Sequence, residues 1–262
     1  MRTSTALPQV SSSAAWADYF RDNLERPREV PWELGADAPD DVLAKVLPSL
    51  RGWQLGETSD GSHLLKAAAH YARSTGDAEF IRAARLFIRE EQLHDEQLGR
   101  FLDLTGTPRA SFDLGDFLFR SVRYLLPRMV VWATPVLMVE THAMIYYNAL
   151  RIATPSRTLR AICRGILTDE VPHIRFQCER LAILHRDRSR PLLAITHVLQ
   201  LTLFAAITLA VWIGHRRVLT AVGYSFGHFW RTAWARMRRG WRMVAPHHYA
   251  WPSQPAAETV SA

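Results

Sequence analysis

The 262-residue sequence contains only two cysteines, Cys163 and Cys178. They stand fifteen positions apart in one stretch of helical pattern, about 22 Å along an α-helix and too far for a disulfide between them. A secreted disulfide scaffold is therefore unsupported, and a reducing, cytoplasmic setting is expected. Strand signals are also missing. There is no sustained apolar/polar alternation and no Asn-Gly or Asp-Gly turn between such runs. The first residues, MRTSTALPQVSSSAAWADYF, hold no continuous apolar core, so no signal peptide is expected. Acid is absent between His215 and Arg242, where Arg216, Arg217, Arg231, Arg236, Arg238, Arg239 and Arg242 lie. Those seven arginines equal the whole formal charge of +7, so the basic character is local and calls for a local anionic partner. No nucleic-acid-binding motif accompanies them, so nucleic acid is not the expected partner. Finally, PLLAITHVLQLTLFAAITLAVWIG runs for 24 residues without a charge.

What is present is helical periodicity, apolar residues recurring every three or four positions. The pattern predicts helices over about 12–25, over 40–74 with a break near Pro48, and from Asp77 to the LTGTP stop. A linker with its own short helix, FDLGDFLFRSVRYLLP, follows, and then helices over 128–153 and 156–185. An apolar helix over 192–214 and a basic, aromatic helix over 216–243 complete the set, before a tail, WPSQPAAETVSA, that reads as disordered. The expected organisation is all-α: an N-terminal helix and linker (1–39), a four-helix bundle (40–185), an apolar-plus-basic helical extension (186–245) and a disordered end (246–262). Tight turns inside the bundle imply two helical hairpins, joined by one long crossover.

Two tetrapeptides, EQLH at 91–94 and EVPH at 170–173, repeat the form Glu-x-x-His. Residues i and i+3 share a helix face, so each pair can bind one metal ion together. A carboxylate-bridged two-metal site in a bundle needs one further Glu from each of the two remaining helices. Glu140 is the sole acid of its helix, in the apolar setting TPVLMVETHAMIYY. An unpaired buried carboxylate there costs several kcal/mol unless something compensates it. Glu57 precedes Glu91 by thirty-four residues, and Glu140 precedes Glu170 by thirty, so each pair can meet at similar depth across its hairpin. Glu90, one residue out of register with His94, is expected to face elsewhere.

The order Glu57, Glu91-x-x-His94, Glu140, Glu170-x-x-His173 resembles the ferritin-like di-iron carboxylate superfamily over roughly residues 40–185. The resemblance implies that these six side chains are both the metal ligands and the catalytic set. It also implies two iron ions as cofactor, with manganese as the alternative, and O2 as co-substrate. Asp169 stands where many members carry an acid that hydrogen-bonds a ligating histidine, here His94; an exposed helix acid explains it equally well. Tyr147, seven residues beyond Glu140, either lines the site or packs beside it. Trp53 is expected in the core rather than as an electron relay. His63, His70 and His142 lack ligand spacing; one of them could serve as an extra ligand, as in the arylamine N-oxygenases of this superfamily. Pro172, inside EVPH, removes a helical hydrogen bond and predicts a kink.

Four carboxylates and two imidazoles suit Fe(II) or Mn(II). Leu98, Phe87, Leu137, Met144 and Ile174 are placed to form an apolar pocket. The leading expectation is an oxygenase or oxidase acting on a small apolar organic substrate, served by an electron donor. The alternative is a ferroxidase, iron-binding or peroxide-metabolising protein of the same architecture without an organic substrate. Residues 192–243 suggest a membrane surface at the inner face, with a buried or homodimer helix as the competing reading.

Overall fold

The computed structural model describes residues 7–112, 117, 120, 121 and 128–251. It is all-α: among these residues the only extended pairing is a single bridge between Gln9 and Ala250. The helices are α1 (Ser13–Leu24), α2 (Asp40–Glu57), α3 (Ser62–Thr75), α4 (Glu79–Leu104), α5 (Met129–Ala153), α6 (Arg157–His185), α7 (Arg190–Ala221) and α8 (Phe226–Val244). The expected short helix after the LTGTP stop lies almost wholly outside the described residues.

Local chemistry sets many of the ends. Ser12, Ser156 and Ser225 cap α1, α6 and α8, each hydroxyl accepting a first-turn N–H that the helix cannot satisfy itself. Gly76 closes α3 at φ +74°, in the left-handed region that glycine enters without a Cβ penalty. The span 40–74, expected as one helix broken near Pro48, is two helices broken elsewhere. Pro48 is inside α2, and the chain breaks at 58–61, where Gly61 sits at φ +70° and a Cβ would meet Ile88 at 2.6 Å. Close approach of the backbone to α4 puts the break there. The helix α6 runs through Pro172 without interruption.

α4 is flanked by α1, α2, α3 and α6; α5 packs along α6, to which only Thr154–Ser156 connect it. α7 lies on α5 and α2, and α8 on α6 and α5. The core between them is aromatic: Phe20, Phe80, Phe87 and Phe176 meet one another, and Trp53 stacks on Tyr146 at 4.3 Å. The N-terminal helix belongs to this core, with Trp16, Ala17 and Phe20 buried. Arg180, 2% exposed, ties the elements together through Tyr71 and Ser13 and stands 3.5 Å from Asp77. The apolar helix extends to Ala221, so Arg216 and Arg217 belong to α7 rather than to the basic helix. Residues 246–251, expected to begin the disordered tail, are structured: Pro246–His248 form a 3-10 turn, and the Ala250 N–H donates to the Pro8 carbonyl at 3.0 Å. The rest of that tail lies outside the described residues.

Candidate metal centre

The two Glu-x-x-His pairs sit mid-helix on α4 and α6, which pack together. Glu57 comes from the last residue of α2 and Glu140 from the middle of α5. Two groups of metal-ligating atoms result: Glu57, Glu91 and His94, and Glu91, Glu170 and His173, each with its ligand atoms within 4.8 Å of one another. Each group can hold a metal ion. Glu91 belongs to both. Its Oε1 is 2.8 Å from His173 Nδ1, which is 4.0 Å from Glu170 Oε2. Glu140 belongs to neither group. It is 5% exposed, and neither carboxylate oxygen has a hydrogen-bond partner among the described residues. It is near enough to Glu91, His173 and Glu57 for their charges to act on it.

The histidines are oriented from behind. His94 Nε2 lies 3.2 Å from Asp169 Oδ2, and His173 Nε2 lies 2.8 Å from Glu90 Oε2. The relation is reciprocal: the acid one residue before the ligand glutamate on α4 holds the α6 histidine, and the corresponding acid on α6 holds the α4 histidine. With Nε2 donating to a carboxylate in each case, Nδ1 is the nitrogen that could bind a metal ion. Glu90, expected to face elsewhere, is therefore 2% exposed and inside the site. It points at α6, while Glu91, about 100° further round the helix, points between α2 and α6.

The N-terminal helix closes this side. Asn23 Nδ2 donates to Glu90 Oε1 at 2.7 Å and to Asp169 Oδ1 at 3.0 Å, and Arg28 also binds Asp169 Oδ1, at 2.5 Å. Phe20 and Phe87 lie edge-on to the His173 ring. On the far side the Tyr147 hydroxyl donates to Glu57 Oε1 at 2.6 Å, and Trp53 Nε1 donates to the same oxygen at 3.1 Å. Trp53 is thus both core and a contact of the site. His142 is buried, bonded to the Met138 carbonyl and the Thr208 hydroxyl; His70 is exposed.

Electrostatics follow from this crowding. Burial, then the charge of Glu91, pushes Glu57 up to about 7. Burial and the neighbouring carboxylates hold Glu140 and Glu170 well above the usual range. Burial favours neutral histidine, but the bonds of His173 to Glu90 and Glu91 outweigh it and raise that pKa well above normal. The same contest, with Asp169 as partner, raises His94. Burial alone would raise Asp169, yet its bond to His94 wins and lowers it to about 2. Without metal the interior thus retains protons that cations would displace.

No protein-family model, curated protein or solved structure matches the chain.

Access to the centre is narrow. A cavity of about 40 Å³, bounded by Gly61, His63, Phe87 and Trp132, reaches Glu57 and Glu91. Of the five residues expected to form an apolar pocket, only Phe87 lines it. Leu98 and Leu137 are buried in the core, and Met144 and Ile174 are partly buried. A far larger groove, about 990 Å³, opens between residues 27–34 and Arg157, Arg160 and Arg164 of α6. Arg28 lines it and also holds Asp169.

Sequence reasoning missed Glu90, Asn23 and Arg28. A signal for Glu90 was present: an acid directly precedes the ligand glutamate in both Glu90-Glu91 and Asp169-Glu170. Asn23 and Arg28 carry no spacing relation to either motif.

Proposed function

We propose that the chain is a non-haem di-iron protein of ferritin-like four-helix architecture, an O2-dependent oxidase or oxygenase. The reaction proposed is hydroxylation, desaturation or N-oxygenation of a small organic molecule. The observation that carries the reading is the reciprocal pairing of Glu90 with His173 and Asp169 with His94. It commits both Nε2 atoms to acids and leaves both Nδ1 atoms beside the carboxylates.

The residues fit the group. His94 Nδ1, Glu170 Oε2 and both Glu140 oxygens are buried without hydrogen-bond partners among the described residues, a costly arrangement that cations would relieve. Glu57, Glu91 and His94 would hold one ion and Glu91, Glu170 and His173 the other, with Glu140 as the remaining carboxylate. The oxygen-rich set suits iron first and manganese second. Two iron ions held there supply two electrons together to O2.

The protein's own part is positional. Asp169 and Glu90 set the tautomer and aim of the two imidazoles. Tyr147 donates its hydroxyl proton in a hydrogen bond to Glu57 Oε1 and fixes that carboxylate. Phe20, Phe87 and Trp132 keep bulk water away. Anaerobic loading with Fe(II) tests the reading. Expected are about two iron ions per chain, absent after Glu91→Ala, and O2 uptake that rises when a suitable organic substrate is added. Purified protein that takes up neither iron nor manganese removes the reading.

The narrow cavity favours a second reading, a ferroxidase or peroxide-metabolising protein with no organic substrate. Some 40 Å³ admits O2 or peroxide and little more. O2 uptake driven by Fe(II) alone, unchanged across a panel of organic compounds, would select it.

A further inference from the structure

α7 presents an apolar face that none of the described residues covers. Leu192, Ile195 and Leu199 recur at three- and four-residue spacing, and Leu209 and Ile213 follow after a ten-residue step in which exposed Thr202 and Ala206 continue the face; the five large apolar side chains are each between 46% and 65% exposed. The opposite side of the helix, through Gln200, Phe204 and Thr208, is buried on the bundle. α5 is also long and apolar enough to cross a membrane, but its apolar stretch is 72% buried, against 17% for that of α7. A contiguous exposed apolar surface of this length marks a contact site.

The surrounding charge identifies the occupant. No acid occurs from Pro191 to Trp251. Arg190 precedes the apolar face, Arg216 and Arg217 follow it, and Arg231, Arg238 and Arg239 are exposed on α8. Asp187, the nearest acid in sequence, is paired with Arg186. Trp234 and Trp241 of α8 pack against Phe204 of α7, placing tryptophan beside the arginines as in interfacial helices. A second copy of the chain is a poor match. Both ends of α7 are basic, so like charges meet in either relative orientation, and the outward positions flanking the seam, Val198 and Ala210, carry no charges to set a pairing register.

We propose that this face docks on an anionic lipid bilayer, with α7 lying in the plane of the interface. The five apolar side chains enter the acyl region, and the flanking arginines sit at the headgroups. Docking rather than crossing follows from the packing. α7 is held along one side to α5 and α2, so crossing would carry the charged residues of α2 into the hydrocarbon with it.

Cosedimentation of the full chain with vesicles tests this, comparing phosphatidylcholine alone with a mixture containing about one third phosphatidylglycerol. Expected is binding to the mixed vesicles, several-fold weaker binding to phosphatidylcholine alone, and weakening with salt. The double change Ile195→Asp with Leu199→Asp should lower binding at least about tenfold at unchanged helix content and metal content. As a second measurement on the unaltered chain, lipids brominated in the acyl chains should quench tryptophan fluorescence. Protein that stays in the supernatant with both vesicle types overturns the proposal, as does a double variant that is folded and binds undiminished. A lipid-free dimer in sedimentation equilibrium, dissolved by the same two substitutions, overturns it in favour of a second copy.

Discussion

Glu140 and Leu199 stand on opposite sides of the molecule from where their chemistry would ordinarily put them. Glu140 is 5% exposed, its two oxygens without hydrogen-bond partners among the described residues; Leu199 is 65% exposed in the charge-free stretch of α7. Around Glu140 the bundle gathers carboxylates and imidazoles in its interior, and around Leu199 it leaves apolar side chains outside. Both arrangements are unfavourable for the isolated chain, the first by desolvation and like-charge repulsion, the second by exposed apolar area. Each would be relieved by the partner proposed for it, cations in one case and lipid in the other. They differ in rigidity. The centre is fixed by reciprocal hydrogen bonds between α4 and α6, with further bonds from α1 and between α5 and α2, whereas the exposed apolar side chains of α7 can form none.

The sharpest break in this comparison is Glu91→Ala. Glu91 belongs to both ligand groups, so its loss should remove both ions, taking metal content from about two per chain to near zero in elemental analysis. An unchanged content would leave the polar interior unexplained by metal.

Next in size is the pH dependence of the metal-free protein. Glu57 is raised from 4.5 to about 7, so the stability it contributes is complete below its unfolded value and is lost as pH rises through 7. Glu140, Glu170, His94 and His173 are raised too, and act in the same direction. Asp169, lowered to about 2, opposes them only in strong acid. Denaturant unfolding in chelator should show stability falling by a few kcal/mol from about pH 5 to 8, and saturating metal should reverse the trend. A metal-free protein that gains stability over that range contradicts the assignment.

Glu140→Gln separates metal from fold more finely. It removes the ionisation cost at pH 7, so metal-free protein should gain about 1–3 kcal/mol while holding less metal, read by calorimetric melting and metal analysis together. Replacing the two acids behind the histidines, Asp169→Asn or Glu90→Gln, should lower metal affinity about 10–100-fold with helix content intact, measured by competition with a chelator. Equal effects of the two would support the reciprocal geometry; an effect of Asp169→Asn alone would return Glu90 to a packing role. Smallest of all, Leu199→Asp should move stability by no more than about 0.5 kcal/mol, since the side chain is 65% exposed.

Much of the centre was legible because its signals are local. Glu-x-x-His encodes two ligands on one helix face, and a lone acid in an apolar helix announces a compensated charge. Glu90 was misread because its side of α4 was judged from α4 alone, without knowing that α6 lies there. The break at 58–61 was placed ten residues early because Pro48 is a conspicuous helix breaker, while the contact of Gly61 with Ile88 has no mark in the sequence. The apolar pocket failed for a similar reason: helical spacing says which residues share a face, not whether the space before that face is filled.

The sequence by itself determined the helices, the two motifs and the segregation of basic and charge-free stretches, because periodicity, capping and charge act over a few residues. Only the tertiary structure decided that Asn23 bridges Glu90 and Asp169, that Glu91 is shared by both ligand groups, and that α5 is covered while α7 is open. Those outcomes depend on which helix faces meet across gaps of sixty to one hundred and fifty residues, and that choice belongs to the packing of the whole core.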